Sequence, residues 1–185
     1  MTQVIKIAIV GAECTGKSTL VAELVAHFKS SYPSQWVPEY LREFSEKAER
    51  TPFEEEQIFI AQNQKNLEAE IAKSLIKEAN GQAYALLFCD TTPLLTNIYN
   101  EIVFGRPHPE LEALSHHDDY DLTLFTAMDF PWQADQTRDG PDAQKATHQL
   151  LSQKLLDLNI KHEVISGSIK ERVAQAQNLI QELVL

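Results

Sequence analysis

Two hydrophobic patterns alternate along the chain. Short runs such as VIKIAIV and YALLFC are almost continuously apolar, and between them apolar residues recur at every third or fourth position. A continuous apolar run predicts a strand buried on both faces, whereas the helical spacing predicts an amphipathic helix. Strands are expected at residues 4–10, 35–38, 84–89, 121–126 and 162–165.

Helices are expected between these strands. Leu20, Leu24 and Phe28 recur at helical spacing after the first strand. The segment TPFE at residues 51–54 combines a capping box with a proline at the first helical position, so a helix is predicted to begin there and to end near Gly81. The remaining segments are expected to form a helix at 93–104, a polar excursion at 105–119, a loop at 128–141, a helix at 142–158 and a capped helix from Ser168.

The alternation of strands and helices decides the fold class. It predicts βαβ units and therefore an α/β fold, with a five-stranded parallel sheet and helices on both of its faces. The sequence of 185 residues contains no internal repeat and no low-complexity linker. Because this length suits one hydrophobic core, residues 1–185 are expected to form a single domain.

Composition and charge narrow the range of partners. The formal net charge of −11 disfavours nucleic acid and favours a cationic small molecule, because so acidic a surface repels phosphate backbones. No apolar stretch is long enough to span a membrane. The two cysteines do not suggest a disulfide framework, and the first residues lack the pattern of an export signal, so a cytoplasmic location is expected.

The clearest chemical motif is the segment GAECTGKS at residues 11–18. It matches G-x-x-x-x-G-K-[ST] and lies between a predicted strand and a predicted helix. The backbone N–H groups of such a loop and the positive end of the helix bind phosphates. The motif therefore predicts a P-loop NTPase. The residues expected to bind ATP are Gly11, Ala12, Glu13, Cys14, Thr15, Gly16, Lys17, Ser18 and Thr19.

Three side chains are expected to act on the phosphates and the metal. Lys17, expected to be a solvent-facing loop cation, would reach the β- and γ-phosphates, and the Ser18 hydroxyl would bind Mg²⁺. Asp90 ends an apolar run at the sheet edge where ligands of open α/β sheets collect, so it is expected to hold Mg²⁺ or accept a substrate proton. The alternative is that Asp90 only caps the following helix.

Further candidates follow the second strand and occupy the loop at 128–141. Glu39 is expected at the same sheet edge as Asp90, where it would orient an acceptor hydroxyl, or it is a surface partner of Arg42. Arg138 is a candidate lid arginine over the phosphates. The segment HHDD at residues 116–119 is expected to be a solvated connection rather than a metal site.

Four segments together resemble a known family. GAECTGKSTL, VPEYLREF, DTTPLLTNIYNEIVFG and YDLTLFTAMDFPWQADQTRD occur in this order and cover nearly the whole chain. They are similar to the ribosylnicotinamide kinase domain of the bacterial NadR-type NAD-biosynthesis proteins, a P-loop kinase-like group. The resemblance implies transfer of a phosphoryl group from ATP to the 5′-hydroxyl of nicotinamide riboside, giving nicotinamide mononucleotide.

The resemblance also implies roles for residues outside the P-loop. Glu39, Arg42 and Asp90 would face the ribosyl hydroxyl. An aromatic such as Tyr40 or Trp132 suits the pyridinium cation of this acceptor. The lid loop and part of the substrate wall would be formed by Trp132, Asp135, Arg138 and Asp139.

Several alternatives stay open on sequence alone. A kinase for another nucleoside or a vitamin precursor shares the same P-loop, and so does a nucleotide-dependent ATPase or switch. The guanine-reading N-K-x-D motif of GTPases is absent, and so is the H-x-G-H nucleotidyltransferase motif found in full-length NadR-type proteins. The preference for ATP over GTP, the oligomeric state, and the choice of Glu39 or Asp90 as the base are left open.

Overall fold

The computed structural model describes residues 2–132 and 140–184, in which five strands form one parallel sheet. The strands are β1 Gln3–Val10, β2 Ser34–Val37, β3 Tyr84–Asp90, β4 Leu122–Thr126 and β5 Glu163–Ile165. Their order across the sheet is β2-β3-β1-β4-β5, and each neighbouring pair is parallel. The predicted five-stranded parallel sheet is therefore confirmed, with β1 at its centre.

Helices cover both faces of the sheet, as predicted. In the described ranges they are α1 Lys17–Phe28, α2 Tyr40–Ala48, α3 Glu54–Glu78, α4 Pro93–Phe104, α5 Pro109–Leu114, α6 Pro141–Asp157 and α7 Ile169–Leu183. Helices α1 and α7 pack against Ile5, Ile7 and Ile9 of β1 on one face. Val10 points to the other face, where α4 and α6 cover it. Among the helices in these ranges, none has the length and apolar character that crossing a membrane requires.

Three details of the helices correct the sequence-based expectations. Helix α3 begins at Glu54, later than the TPFE segment predicts, and the Glu56 carboxylate accepts the Phe53 N–H at 2.7 Å. The capping side chain is therefore that of Glu56, which lies two residues after the TPFE segment. Helix α2 was not predicted: its apolar residues Tyr40, Leu41 and Phe44 recur at helical spacing, but the helix has only nine residues and none of them is fully buried. The expected polar excursion contains the short helix α5, which begins at Pro109.

The expectation of a solvated connection at residues 116–119 is wrong for His117. Its imidazole is 9% exposed, with Nε2 3.0 Å from Thr92 Oγ1 and Nδ1 2.8 Å from Thr123 Oγ1. Burial lowers the pKa of His117 to about 3, so the ring is neutral at physiological pH. His117 therefore joins the start of α4 to β4, next to the strand end that carries Asp90.

A charged cluster holds α3 against the sheet. Lys6 of β1 pairs with Glu68 of α3 at 2.9 Å, and its ammonium lies 4.4 Å from the centre of the Tyr120 ring. The Tyr120 hydroxyl donates to Glu68 at 2.7 Å, so the buried Glu68 carboxylate is fully engaged. This anchor fixes the helix whose first turns border the candidate site.

Candidate nucleotide and acceptor site

The P-loop connects the end of β1 to the start of α1 at the carboxyl edge of the sheet. Gly16 has φ 78° and is the N-cap of α1, a conformation that glycine adopts without strain. A Cβ atom on Gly11 would overlap Thr126 Oγ1 and Thr15 Oγ1. The two glycines of the motif are thus required by the backbone turn and by close packing, in addition to any role in binding phosphate.

Side chains distant in sequence brace this loop. Thr126 Oγ1 lies 2.7 Å from Thr15 Oγ1, and Thr15 Oγ1 in turn donates to Ala12 O at 2.7 Å. Gln144 of α6 donates through Nε2 to Glu13 O at 2.7 Å. These bonds use carbonyl groups of the loop and none of its N–H groups. Sequence reasoning missed Thr126 and Gln144, because neither stands in a recognisable motif.

Arg172 has the largest side chain of the bracing residues, and it is fully buried. Its guanidinium has no exposed surface and donates to Thr15 O at 2.6 Å, to Gly167 O at 2.9 Å and to Ala127 O at 3.0 Å. It also pairs with Asp129. A buried guanidinium is tolerated only when carbonyl and carboxylate oxygens satisfy its donors. Arg172 therefore ties the P-loop to the loops that follow β4 and β5.

Lys17 is not the solvent-facing cation that the sequence suggested. It is 7% exposed and its ammonium donates to Ala12 O at 2.9 Å. Burial lowers the pKa of Lys17, while the carboxylates of Glu39 and Asp90 oppose that shift. The structure thus brings together one P-loop cation and two predicted carboxylates, which come from three separate segments of the chain.

Glu39 and Asp90 lie at the same sheet edge, as predicted. The side chain of Glu39 is 11% exposed, and its carboxylate lies 3.5 Å from Arg42, whose side chain is 51% exposed. The expected ion pair therefore forms, between a largely buried carboxylate and a half-exposed guanidinium. Burial raises the pKa of Glu39, and Lys17 and Arg42 partly oppose this. Asp90 does not cap α4, because Thr92 is the N-cap of that helix.

The side-chain oxygens near the P-loop can be compared with the ligands that Mg²⁺ requires. Asp90 Oδ1 is buried and has no hydrogen-bond partner in the described part of the chain, and the Ser18 side chain is exposed on the P-loop. Within residues 2–132 and 140–184, no group of three or more His, Cys, Asp or Glu side chains could hold a metal by itself. Mg²⁺ characteristically takes one or two protein oxygens together with substrate phosphates and waters, so Ser18 and Asp90 fit this metal.

Two clefts adjoin the P-loop. The first, the phosphate cleft, is lined by residues 14–19 together with Arg42, Phe130, Pro131 and Ile169. The second, the acceptor cleft, lies between α2, α3 and α4. Its lining residues are Glu13, Glu39, Leu41, Arg42, Ser45, Glu46, Thr51, Pro52, Gln57, Tyr99 and Val103. Arg42 lines both clefts, and Glu39 stands where the acceptor cleft reaches the P-loop, so two substrates could meet there.

The remaining predicted residues are placed differently. Tyr40 lines a separate groove with other α2 side chains, and its N–H donates to Gln64 Oε1 at 2.9 Å, so it is not part of the acceptor cleft. Trp132 is half-buried, and its Nε1 has no partner among the described residues. The predicted lid residues Asp135, Arg138 and Asp139 lie outside the described residues.

Comparison with known proteins agrees with this architecture. The AAA domain family matches residues 6–172. The trifunctional NAD biosynthesis/regulator protein NadR of Salmonella typhimurium (strain LT2) is 27% identical over 180 residues, which is 96% of this chain and 42% of that protein. Two structures of NadR, one in complex with NAD and AMP-PNP and one with NR, superpose with a TM-score of 0.68 at 18% and 19% identity, covering 97% and 98% of this chain.

A second kind of protein shares the fold over almost its full length. Thymidylate kinase from Ehrlichia chaffeensis gives a TM-score of 0.67 at 13% identity, covering 96% of this chain and 98% of that enzyme. By contrast, the chain spans 49% and 50% of the NadR structures. The P-loop α/β fold and the resemblance to NadR predicted from the motifs are confirmed, and these relatives point to a P-loop phosphotransferase.

Proposed function

The chain belongs to the AAA domain family, and we propose that it is an ATP-dependent kinase for the 5′-hydroxyl of nicotinamide riboside. The observation that carries the proposal is the junction of the two clefts. A buried carboxylate, Glu39, stands between a phosphate-binding loop and a second cleft that is rich in carboxylates. A pyridinium riboside brings to that cleft a positive charge and a hydroxyl group that can accept a phosphoryl group.

The charge of the acceptor cleft separates this proposal from a nucleotide kinase. Among the described residues that line the cleft, three carry a carboxylate, namely Glu13, Glu39 and Glu46, and one, Arg42, carries a positive charge. The phosphate of a nucleoside monophosphate carries about two negative charges, and placing it next to these carboxylates is disfavoured by like-charge repulsion. A cationic nucleoside gains from the same field. The solved NadR complex with NR supports the same class of acceptor.

The mechanism is in-line transfer, with positioning and electrostatics as its main components. The backbone N–H groups of the P-loop and the Lys17 ammonium would hold the β- and γ-phosphates. When bound, Mg²⁺ supplies charge neutralisation on the triphosphate, and Ser18 and Asp90 are the residues that would hold it. Glu39 lines the acceptor cleft whereas Asp90 does not, so we assign Glu39 as the group that orients the hydroxyl and accepts its proton. Arg138 stays a proposed lid arginine.

A panel of acceptors tests the proposal. ADP formation is measured with MgATP alone and with nicotinamide riboside, thymidine, thymidine monophosphate or pantothenate added. We expect nicotinamide riboside to raise the rate by about a hundredfold or more, because the aligned acceptor replaces water as the nucleophile. A larger acceleration by another nucleoside or by the vitamin precursor would favour a kinase of different specificity.

The role of Glu39 predicts a pH profile. A base must be deprotonated to act, and burial raises the pKa of Glu39, so kcat/KM should fall on acidification at a higher pH than an exposed glutamate would dictate. Glu39→Gln should lower kcat by about a hundredfold, raise the KM for the acceptor and remove this acid limb. The measurement is kcat/KM against pH, with the exposed Glu23→Gln on α1 as the control. An unchanged acid limb in Glu39→Gln would show that Glu39 is not the base.

A further inference from the structure

Carboxylates outnumber positive charges among the described residues that line the acceptor cleft. Besides the carboxylates of Glu13, Glu39 and Glu46, the cleft includes Gln57, the fourth residue of α3. Apolar side chains, among them Pro52, complete its walls. A ligand that complements this surface must offer N–H or O–H donors and positive charge, on a scaffold flat or small enough to lie against apolar walls.

Gln57 carries the most specific signal in this lining. Its side chain is 3% exposed, and its Oε1 is buried with no hydrogen-bond partner among the described residues. Buried side-chain oxygens in folded proteins nearly always accept a hydrogen bond. The Gln57 side chain borders a cleft in which a ligand donor could supply that bond.

We propose that Gln57, assisted by Glu46, selects an acceptor whose pyridinium ring bears a carboxamide over the analogue that bears a carboxylate. This inference rests on the proposed function. The carboxamide N–H donates to Gln57 Oε1. A carboxylate at the same place offers two oxygens and no donor, so it would leave Gln57 unsatisfied and face Glu46 with a like charge. A site that accepts a hydrogen bond from its substrate discriminates strongly against an analogue without the donor group. An apolar pocket discriminates less strongly between ligands that differ only in shape.

The two residues contribute unequally. Gln57 is buried, so loss of its hydrogen bond acts in a region from which water is largely excluded. Glu46 is exposed on α2, where salt screens its repulsion of a carboxylate. Gln57 is therefore the main specificity-determining residue, and Glu46 adds a smaller discrimination that depends on ionic strength.

The test is the ratio of kcat/KM for nicotinamide riboside to kcat/KM for nicotinic acid riboside, since a general loss of activity cancels in this ratio. For the wild type we expect a ratio of about a hundred or more. Gln57→Met removes the acceptor oxygen and should reduce the ratio at least about tenfold, whereas Gln57→Glu keeps an acceptor oxygen and should preserve or increase it. Glu46→Gln should reduce the ratio by about two- to fivefold at low salt and less at high salt. The control Glu43→Gln, on the same helix but outside the cleft, should leave the ratio unchanged.

The outcomes separate the inference from the proposed function. If nicotinamide riboside is a good substrate and Gln57→Met keeps the wild-type ratio, the inference is wrong and the proposed function stands. If Gln57→Met does not fold, Gln57→Glu decides, because a fall of its ratio toward one contradicts the role assigned to Oε1. A wild-type preference for the carboxylate would mean that Gln57 presents its NH₂ group instead, and it overturns the inference. If neither riboside is phosphorylated, both proposals fail.

Discussion

Lys17→Ala is expected to abolish phosphoryl transfer while the protein stays folded. Lys17 is the P-loop cation in the phosphate cleft, and its removal takes one positive charge away from the place where charge would develop on the transferring phosphoryl group. Loss of one such preorganised donor lowers kcat by about 10²–10³-fold, and loss of a full charge should reach the upper end of that range. Because Lys17 holds down the pKa of Glu39, the substitution should also raise that pKa further.

The measurement for Lys17 is kcat with saturating acceptor and MgATP, together with the thermal unfolding midpoint. Lys29→Ala is the matched control, since Lys29 is an exposed lysine at the other end of α1. The control should retain wild-type kcat, and both variants should unfold cooperatively. A folded Lys17→Ala protein with near-normal kcat would contradict the assignment of the P-loop as the site of phosphoryl transfer.

Asp90→Asn is expected to lower kcat by about 10²–10³-fold, a loss similar to that from removing a single preorganised electrostatic group. The substitution keeps the size of a buried side chain at the end of β3 but removes its charge. A neutral amide is a weaker ligand for a hard divalent cation, so the Mg²⁺ concentration needed for half-maximal activity should rise. Affinity for the acceptor should change little, because Asp90 does not line the acceptor cleft.

Two readouts distinguish a metal-binding role for Asp90 from a purely structural one. Activity is titrated with Mg²⁺ for the wild type, Asp90→Asn and the exposed control Asp118→Asn, and unfolding is followed for all three. A structural role predicts lower stability with an unchanged Mg²⁺ requirement. That result would move Asp90 out of the proposed metal site.

The P-loop was predictable because all of its residues are adjacent in the sequence. A strand, a loop with two required glycines and a helix follow each other within a short stretch, and local sequence determines all three. Glu39 and Asp90 were also predictable, because each follows an apolar run and parallel strands end at one sheet edge. The parallel strand order alone places both carboxylates close enough to Lys17 to affect its pKa.

The residues that brace the site could not be predicted in this way. Arg172 looks like an ordinary polar position in the first turn of a capped helix, and its burial arises only when α7 packs beside the P-loop. Gln57 similarly resembles a solvated position near the start of α3. Their roles depend on which elements pack together, which hydrophobic periodicity does not encode. His117 was misjudged for the same reason, because polar neighbours in sequence conceal a buried environment.

The most direct test of the central claim is identification of the product formed from nicotinamide riboside and MgATP. Chromatography with mass detection quantifies nicotinamide mononucleotide and ADP over time, and phosphorus NMR identifies the phosphate as a 5′-monoester. The proposed function predicts one nicotinamide mononucleotide for each ADP, with little ADP formed when the riboside is omitted. ADP formation at the same rate with and without the riboside, and no nicotinamide mononucleotide, would contradict it and would identify the protein as an ATPase.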